Sequence, residues 1–201
     1  MTRSSVLVIG GFVVAYFAFA SAASAQGPTD HQWSHGTTLF ASAGAAMAPS
    51  ADTRATLGGG FSWEVNHHLS VEGAGNWLVP RTDDQGFAAD LTALFNLTRP
   101  TRVVPFVGGG VGLYIASFDT TAGPLPEFYQ KRLPQDSVVT HRTFTDPTFV
   151  FTGGFDILAK SHLSIRPNVS ARLVTDGANT YWVTVAQVNV AYHFELHETV
   201  R

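Results

Sequence analysis

Polar and apolar residues alternate along most of this chain. In "TRATLGGGFSWEV", residues 53–65, Arg54, Thr56, Gly58, Gly60, Ser62 and Glu64 share one parity, while Ala55, Leu57, Gly59, Phe61, Trp63 and Val65 share the other. "HLSVEGAGNWLV" splits the same way, with His68, Ser70, Glu72, Ala74 and Asn76 opposite Leu69, Val71, Gly73, Gly75, Trp77 and Val79. A period of two belongs to an extended strand with one polar and one apolar face. Followed along the chain, it predicts eight strands, near 37–48, 53–65, 68–79, 86–98, 103–118, 147–159, 162–174 and 181–195. Strands of soluble proteins average about five or six residues, whereas a tilted strand crossing a bilayer needs roughly nine to eleven.

The predicted connections alternate in length. "NH", "TRPT" and "KS" are tight; "VPRTDDQ", residues 119–146 and "TDGANT" are longer and polar. Short turns at one rim and longer loops at the other are the mark of antiparallel strands closed into a transmembrane barrel. In lipid, closure is required because an open sheet edge leaves backbone groups without partners. The expected fold is therefore all-β, an eight-stranded antiparallel up-and-down transmembrane β-barrel with short periplasmic turns and one long outer loop. A soluble barrel with its apolar face turned inward has the same alternation.

The N-terminus changes the picture by adding a destination. Arg3 precedes an apolar run from Val6 to Ala20, and "ASA" at 23–25 supplies the small residues of a signal-peptidase site. The expected organisation is a cleaved signal peptide (1–25), a lead-in (26–36), the barrel (37–195) and a tail (196–201). Loss of residues 1–25 removes only Arg3 from the 12 Lys and Arg and leaves all 15 Asp and Glu. The remainder is mildly acidic, without the clustered cations that nucleic-acid binding needs. The chain has no cysteine, so strand pairing and packing must hold the fold without disulfides.

Charges concentrate on the polar face. Arg54, Glu64, Glu72, Asp90, Asp156, Arg166 and Arg172 all fall opposite the apolar rows, and in a narrow lumen they must pair or be solvated. This barrel-interior polar network is the candidate site, with at least one Arg–carboxylate contact expected between strands. On the apolar face, Phe61, Trp63, Trp77, Phe95, Phe155, Trp182, Tyr192 and Phe194 lie near strand ends, as in an interfacial girdle. Gly108, Gly110 and Gly112 share one face of a strand, where a narrow barrel leaves little interior room. A phosphate-binding role would need a helix to follow them, and "VGLYIASF" continues as strand. Histidines offer no close-spaced ligand set, so neither a metal nor a cofactor is expected.

An internal repeat governs the His/Ser motifs. A shift of 94 residues superposes "GGFSWEVNHHLSVEG" (59–73) on "GGFDILAKSHLSIRP" (153–167), matching His68 to His162 and Ser70 to Ser164. Two equivalent hairpins explain the duplication better than a duplicated catalytic row. The next inward position holds Glu72 in one copy and Arg166 in the other. In the long loop, three prolines accompany Phe128, Tyr129, Lys131 and Arg132, which suits either surface recognition or a lid over the barrel mouth.

"RVVPFVGGGVGLY" (102–114), taken with the N-terminal signal, the "GGGF" strand and "HLSIRPNV", resembles the small outer-membrane β-barrels of Gram-negative bacteria, the OmpA/OmpX-type porin-family barrels. The resemblance covers nearly all of the chain beyond the signal. It implies residence in the outer membrane, contact with outer-membrane lipids and insertion by the barrel assembly machinery. A surface ligand would be met through residues 119–146. The family ends on an aromatic residue, whereas here "ELHETVR" follows Phe194. Eight strands enclose an interior that side chains can fill, so the expected role is non-enzymatic, structural or surface-exposed, with a plugged lumen. Two alternatives remain open. Outer-membrane lipid A deacylases resemble this architecture and use a His-x-Ser pair; His162-Leu163-Ser164 has that form, but Ile165 follows where the family has Asn. The other is a periplasmic ligand-binding barrel.

Overall fold

The computed structural model of the chain describes residues 36–48, 51–81, 84–99, 101–119, 127–132, 141–160, 162–177 and 179–194. The expected signal peptide, most of the lead-in and the tail lie outside the described residues. Eight strands run in chain order: β1 (Thr37–Ala48), β2 (Ala51–Asn66), β3 (Leu69–Arg81), β4 (Asp84–Asn96), β5 (Val103–Asp119), β6 (His141–Lys160), β7 (Leu163–Thr175) and β8 (Thr180–His193). Each pairs antiparallel with the next, and β8 pairs back onto β1 to close the barrel. One helical turn, α1 (Glu127–Gln130), lies between β5 and β6.

The alternation resolves into an inverted distribution of polarity. Phe61, Trp63 and Phe151 are each more than half exposed on the outer wall, with Leu39, Leu57, Leu91, Val111, Val190 and Tyr192 around them. The interior holds Thr56, Ser62, Ser70, Asn76, Asp90, Thr148, Asn168, Arg172 and Asn189, all buried. This is the reverse of a soluble calyx. On β4, Phe87 and Phe95 face outward near opposite ends; their separation of about 27 Å along the strand becomes roughly 21 Å of height at the usual barrel tilt. That approaches the ~25 Å apolar band of outer-membrane barrels. All eight aromatics of the expected girdle share this outer wall, Phe155 being half-buried.

Most strand boundaries shift by one or two residues from expectation, and two differences change a residue's place. β6 begins at His141, six residues before the expected 147, and pairs with β5 up to Asp119↔His141. The expected long loop is correspondingly shorter. Here Thr143 and Thr145 face outward beside inward Phe144 and Asp146, so the outer face is polar and the alternation that reveals a strand inside the apolar band disappears. The second correction concerns His68. It was expected on the inward row with Ser70 and Glu72, but it lies exposed in the β2–β3 turn, and β3 starts at Leu69 after a register shift between Glu64 and Asn66.

The repeat acquires a geometric meaning in the closed barrel. A 94-residue shift maps the β2–β3 hairpin onto β6–β7, four strands further round an eight-stranded ring, hence across the lumen. The paired histidines do the same work in each copy. His68 Nδ1 lies 3.2 Å from the Asn96 carbonyl oxygen and His162 Nδ1 lies 2.9 Å from that of His193, each tying a turn to the neighbouring strand.

Candidate functional site

The inward positions of the strands assemble the lumen from one rim to the other. Glu72 on β3 and Arg166 on β7 reach across it, Arg166 Nη1 donating to Glu72 Oε2 at 2.9 Å. Arg166 Nε also lies 2.9 Å from Asp156 Oδ2 on β6, although its N–H is not aligned for a hydrogen bond. The guanidinium is further packed over the Phe106 ring, 5.4 Å from its centroid. A second bridge links Arg172 on β7 to Asp90 on β4: Nε donates to Oδ2 at 3.0 Å and Nη2 donates to the same oxygen. Both partners are almost wholly buried.

Two of the seven expected residues take other places. Glu64 lines a cavity of about 20 Å³ near the rim that carries the chain ends, with Asp156, Arg166, His67 and His193. Arg54 lines a separate cavity of about 40 Å³ at the opposite mouth, with Gln85, Tyr114 and Tyr129. The inward glycines let opposing backbones approach. A Cβ on Gly110 would collide with the Leu91 carbonyl oxygen, and one on Gly112 with that of Ala89.

The His-x-Ser motif is split by the fold. Ser164 is fully buried, and its Oγ is 3.0 Å from His193 Nε2, not from His162. His193 Nδ1 in turn lies 3.0 Å from Thr38 Oγ1. This Ser164–His193–Thr38 chain ties β7, β8 and β1 together inside the barrel, and no sequence spacing announced it. A hydroxyl so enclosed has no open face for a substrate to approach.

Residues from outside the strands pack into the mouth at the long-loop rim. Phe128 and Tyr129 of α1 are buried there against Phe118, Phe144, Tyr181, Leu78 and Val183. Tyr129 lies 4.8 Å from the Phe118 ring and 4.9 Å from Phe144, while Phe128 stacks on Tyr181 at 5.6 Å. Arg132 holds the segment at its end: Nη1 donates to both Asp146 oxygens at 2.7 and 2.8 Å, and the guanidinium sits 4.8 Å over Phe144. The Tyr129 hydroxyl has no hydrogen-bond partner among the described residues. Burial above all, then Tyr114 and Asp146 nearby, raises its pKa above the ordinary tyrosine value. Asp146 had no sequence signal as an interior group, because it lies in the part of β6 expected to be loop. Among the described residues no group of His, Cys, Asp or Glu has the arrangement of a metal site.

No protein-family model matches the chain, and no curated protein matches it in sequence. Its fold matches solved outer-membrane barrels. Neisserial surface protein A aligns with a TM-score of 0.58 at 11% identity, over 79% of this chain and 96% of its own. The N-terminal β-barrel domain of Pseudomonas aeruginosa OprF aligns with a TM-score of 0.55 at 11% identity, over 78% and 97%. Ail, the attachment invasion locus protein of Yersinia pestis, aligns with a TM-score of 0.51 at 12% identity, over 79% and 97%. The chain thus has the fold of the OmpA/OmpX-type outer-membrane barrel.

Proposed function

We propose that this chain is a non-enzymatic outer-membrane β-barrel whose lumen is closed to solutes and whose long-loop rim faces the cell exterior. The observation that carries this reading is closure at two levels. Side chains cross the lumen as Glu72–Arg166–Asp156 and Asp90–Arg172, and Phe128 and Tyr129 fill the mouth above them. The cavities of about 40 and 20 Å³ have room for only a few waters each. The outer wall supports membrane residence, since Phe61, Trp63 and Phe151 are each more than half exposed on it, as the apolar band of a lipid-facing barrel requires. Outer-membrane lipids and the barrel assembly machinery are the partners this reading implies, and the long-loop rim is where a surface ligand would meet the barrel. Against lipid A hydrolysis stands the enclosure of Ser164, which faces the lumen while a lipid would approach from outside.

Planar-bilayer recording of the purified protein, with lipid A mass spectra from the same cells, tests the reading. The native chain should be silent and lipid A unchanged in mass. Because the seals lie in series, opening any one of them, by Glu72→Ala/Arg166→Ala, by Asp90→Ala/Arg172→Ala or by Phe128→Ala/Tyr129→Ala, should also leave the barrel silent, and the six changes together should conduct. Retained heat-modifiable migration on gels reports that each variant is folded. Steady conductance by the native protein would overturn closure; a mass change in lipid A would overturn the non-enzymatic role.

A further inference from the structure

The segment that fills the mouth is held there as a ligand would be held. Within the segment, Lys131 N–H donates to the Glu127 carbonyl at 3.3 Å and Arg132 N–H to the Tyr129 carbonyl at 3.1 Å. Among the described residues, the rings of Phe128 and Tyr129 and the guanidinium of Arg132 reach into the barrel. The barrel supplies the complementary set. Phe118, Phe144 and Tyr181 offer ring faces, and Asp146, which is 2% exposed, accepts the cation. Asp176 lies 3.9 Å from Arg132 on the other side. Aromatic walls beside buried carboxylate form a receptor for a cation carried on an aromatic body.

The fit of the present occupant is incomplete. The Tyr129 hydroxyl is buried without a hydrogen-bond partner among the described residues, and a cavity of about 40 Å³ remains beside the ring, lined in part by Arg54, Gln85 and Tyr114. The cup therefore has room beyond what Phe128 and Tyr129 fill.

We propose that the long-loop mouth is a binding site for an aromatic cation, with Phe128, Tyr129 and Arg132 occupying it as an internal ligand that an external one displaces. The same chemistry is carried by a peptide presenting two aromatic residues and a following cation, and by a small aromatic amine. Displacement opens only the upper of the two closures, because the cross-lumen ion pairs below it involve no residue of this segment.

The test uses the full chain in lipid nanodiscs and two probes, the capped peptide EFYQKR, which copies residues 127–132, and phenethylammonium. Calorimetry should find at least about tenfold tighter binding of a probe by Phe128→Ala/Tyr129→Ala/Arg132→Ala than by the native chain, since the vacated cup has no internal competitor. Adding Asp146→Asn to that variant should cost at least about tenfold. Binding of the peptide alone assigns the site to peptides, and binding of the amine alone to small molecules; either supports the proposal. Failure of both probes, equal binding to native and vacated chains, or indifference to Asp146→Asn overturns it.

A second measurement leaves the cup intact. A spin label on Lys131→Cys, in a chain without other cysteines, should become mobile when a probe saturates the protein. An immobile label with the probe bound would overturn displacement. Conductance measured on the same samples separates this inference from closure: a silent barrel that binds the probe satisfies both, and a conducting native barrel that binds it overturns closure alone.

Discussion

At the scale of single residues, the lumen turns on guanidinium groups that have left water. Arg172 is buried against Asp90 with little else to solvate it, so removing one partner strands the other. Arg172→Ala and Asp90→Ala should each destabilise the barrel by about 3–5 kcal/mol, and the double change by less than the sum, as read from urea unfolding in vesicles. Tyr129 has a different sensitivity. Its raised pKa means that above about pH 10, where a free tyrosine ionises, the docked segment keeps a proton that the released segment loses. Docking is therefore at full strength below that pH and weakens as pH rises through it. A spin label on Lys131→Cys should be immobile from pH 6 to 9 and loosen above 10, and Tyr129→Phe should abolish the change. Arg166 and Glu72 were legible as an opposed pair from the 94-residue repeat; Asp146 and Arg132 were not, because their meeting depends on a segment that returns from outside the sheet.

At the scale of an element, β5 shows how a strand answers to both of its faces. Gly110 points inward, where a Cβ would strike the Leu91 carbonyl, while a Cβ on outward-facing Gly109 would have nothing nearer than 3.6 Å. Gly110→Ala should therefore cost about 1–3 kcal/mol, and Gly109→Ala should stay within about 0.5 kcal/mol of native. Equal losses at both positions in the same unfolding assay would mean that backbone flexibility, and not lumen width, requires these glycines. Most of β1 to β5, β7 and β8 was legible from alternation, since each has one face in an apolar band and one in a polar lumen. The start of β6 was not, because Thr143 and Thr145 stand on its outer face beside inward Phe144 and Asp146, so the outer row is polar and the usual alternation is lost.

At the scale of the whole molecule, the closed ring commits each connection to one rim. The β2–β3, β4–β5 and β6–β7 turns share a rim with the start of β1 and the end of β8, and α1 lies at the other. Cysteine labelling on intact cells checks the direction, using a membrane-impermeant maleimide. Lys131→Cys should label from outside, whereas Lys160→Cys, at the β6–β7 turn, should label only after the outer membrane is permeabilised. The opposite pattern would invert the proposed topology.

The sequence by itself determined the number of strands, their antiparallel order and, within the apolar band, which residues face the lumen, because a period of two with one apolar face is a local property that each strand carries alone. It also marked Arg54, Glu64, Glu72, Asp90, Asp156, Arg166 and Arg172 as one set, since parity assigns a face without reference to any partner. Only the tertiary structure decided which of them meet. Ring closure sets β3 opposite β7, which brings Glu72 to Arg166, while register and shear bring Asp90 to Arg172 and leave Arg54 at the mouth. At the mouth, composition alone left a lid and a recognition surface both open. Phe128, Tyr129 and Arg132 have no periodicity to declare them, and their burial arises from rings and a carboxylate gathered from β5, β6 and β8 once the barrel has closed.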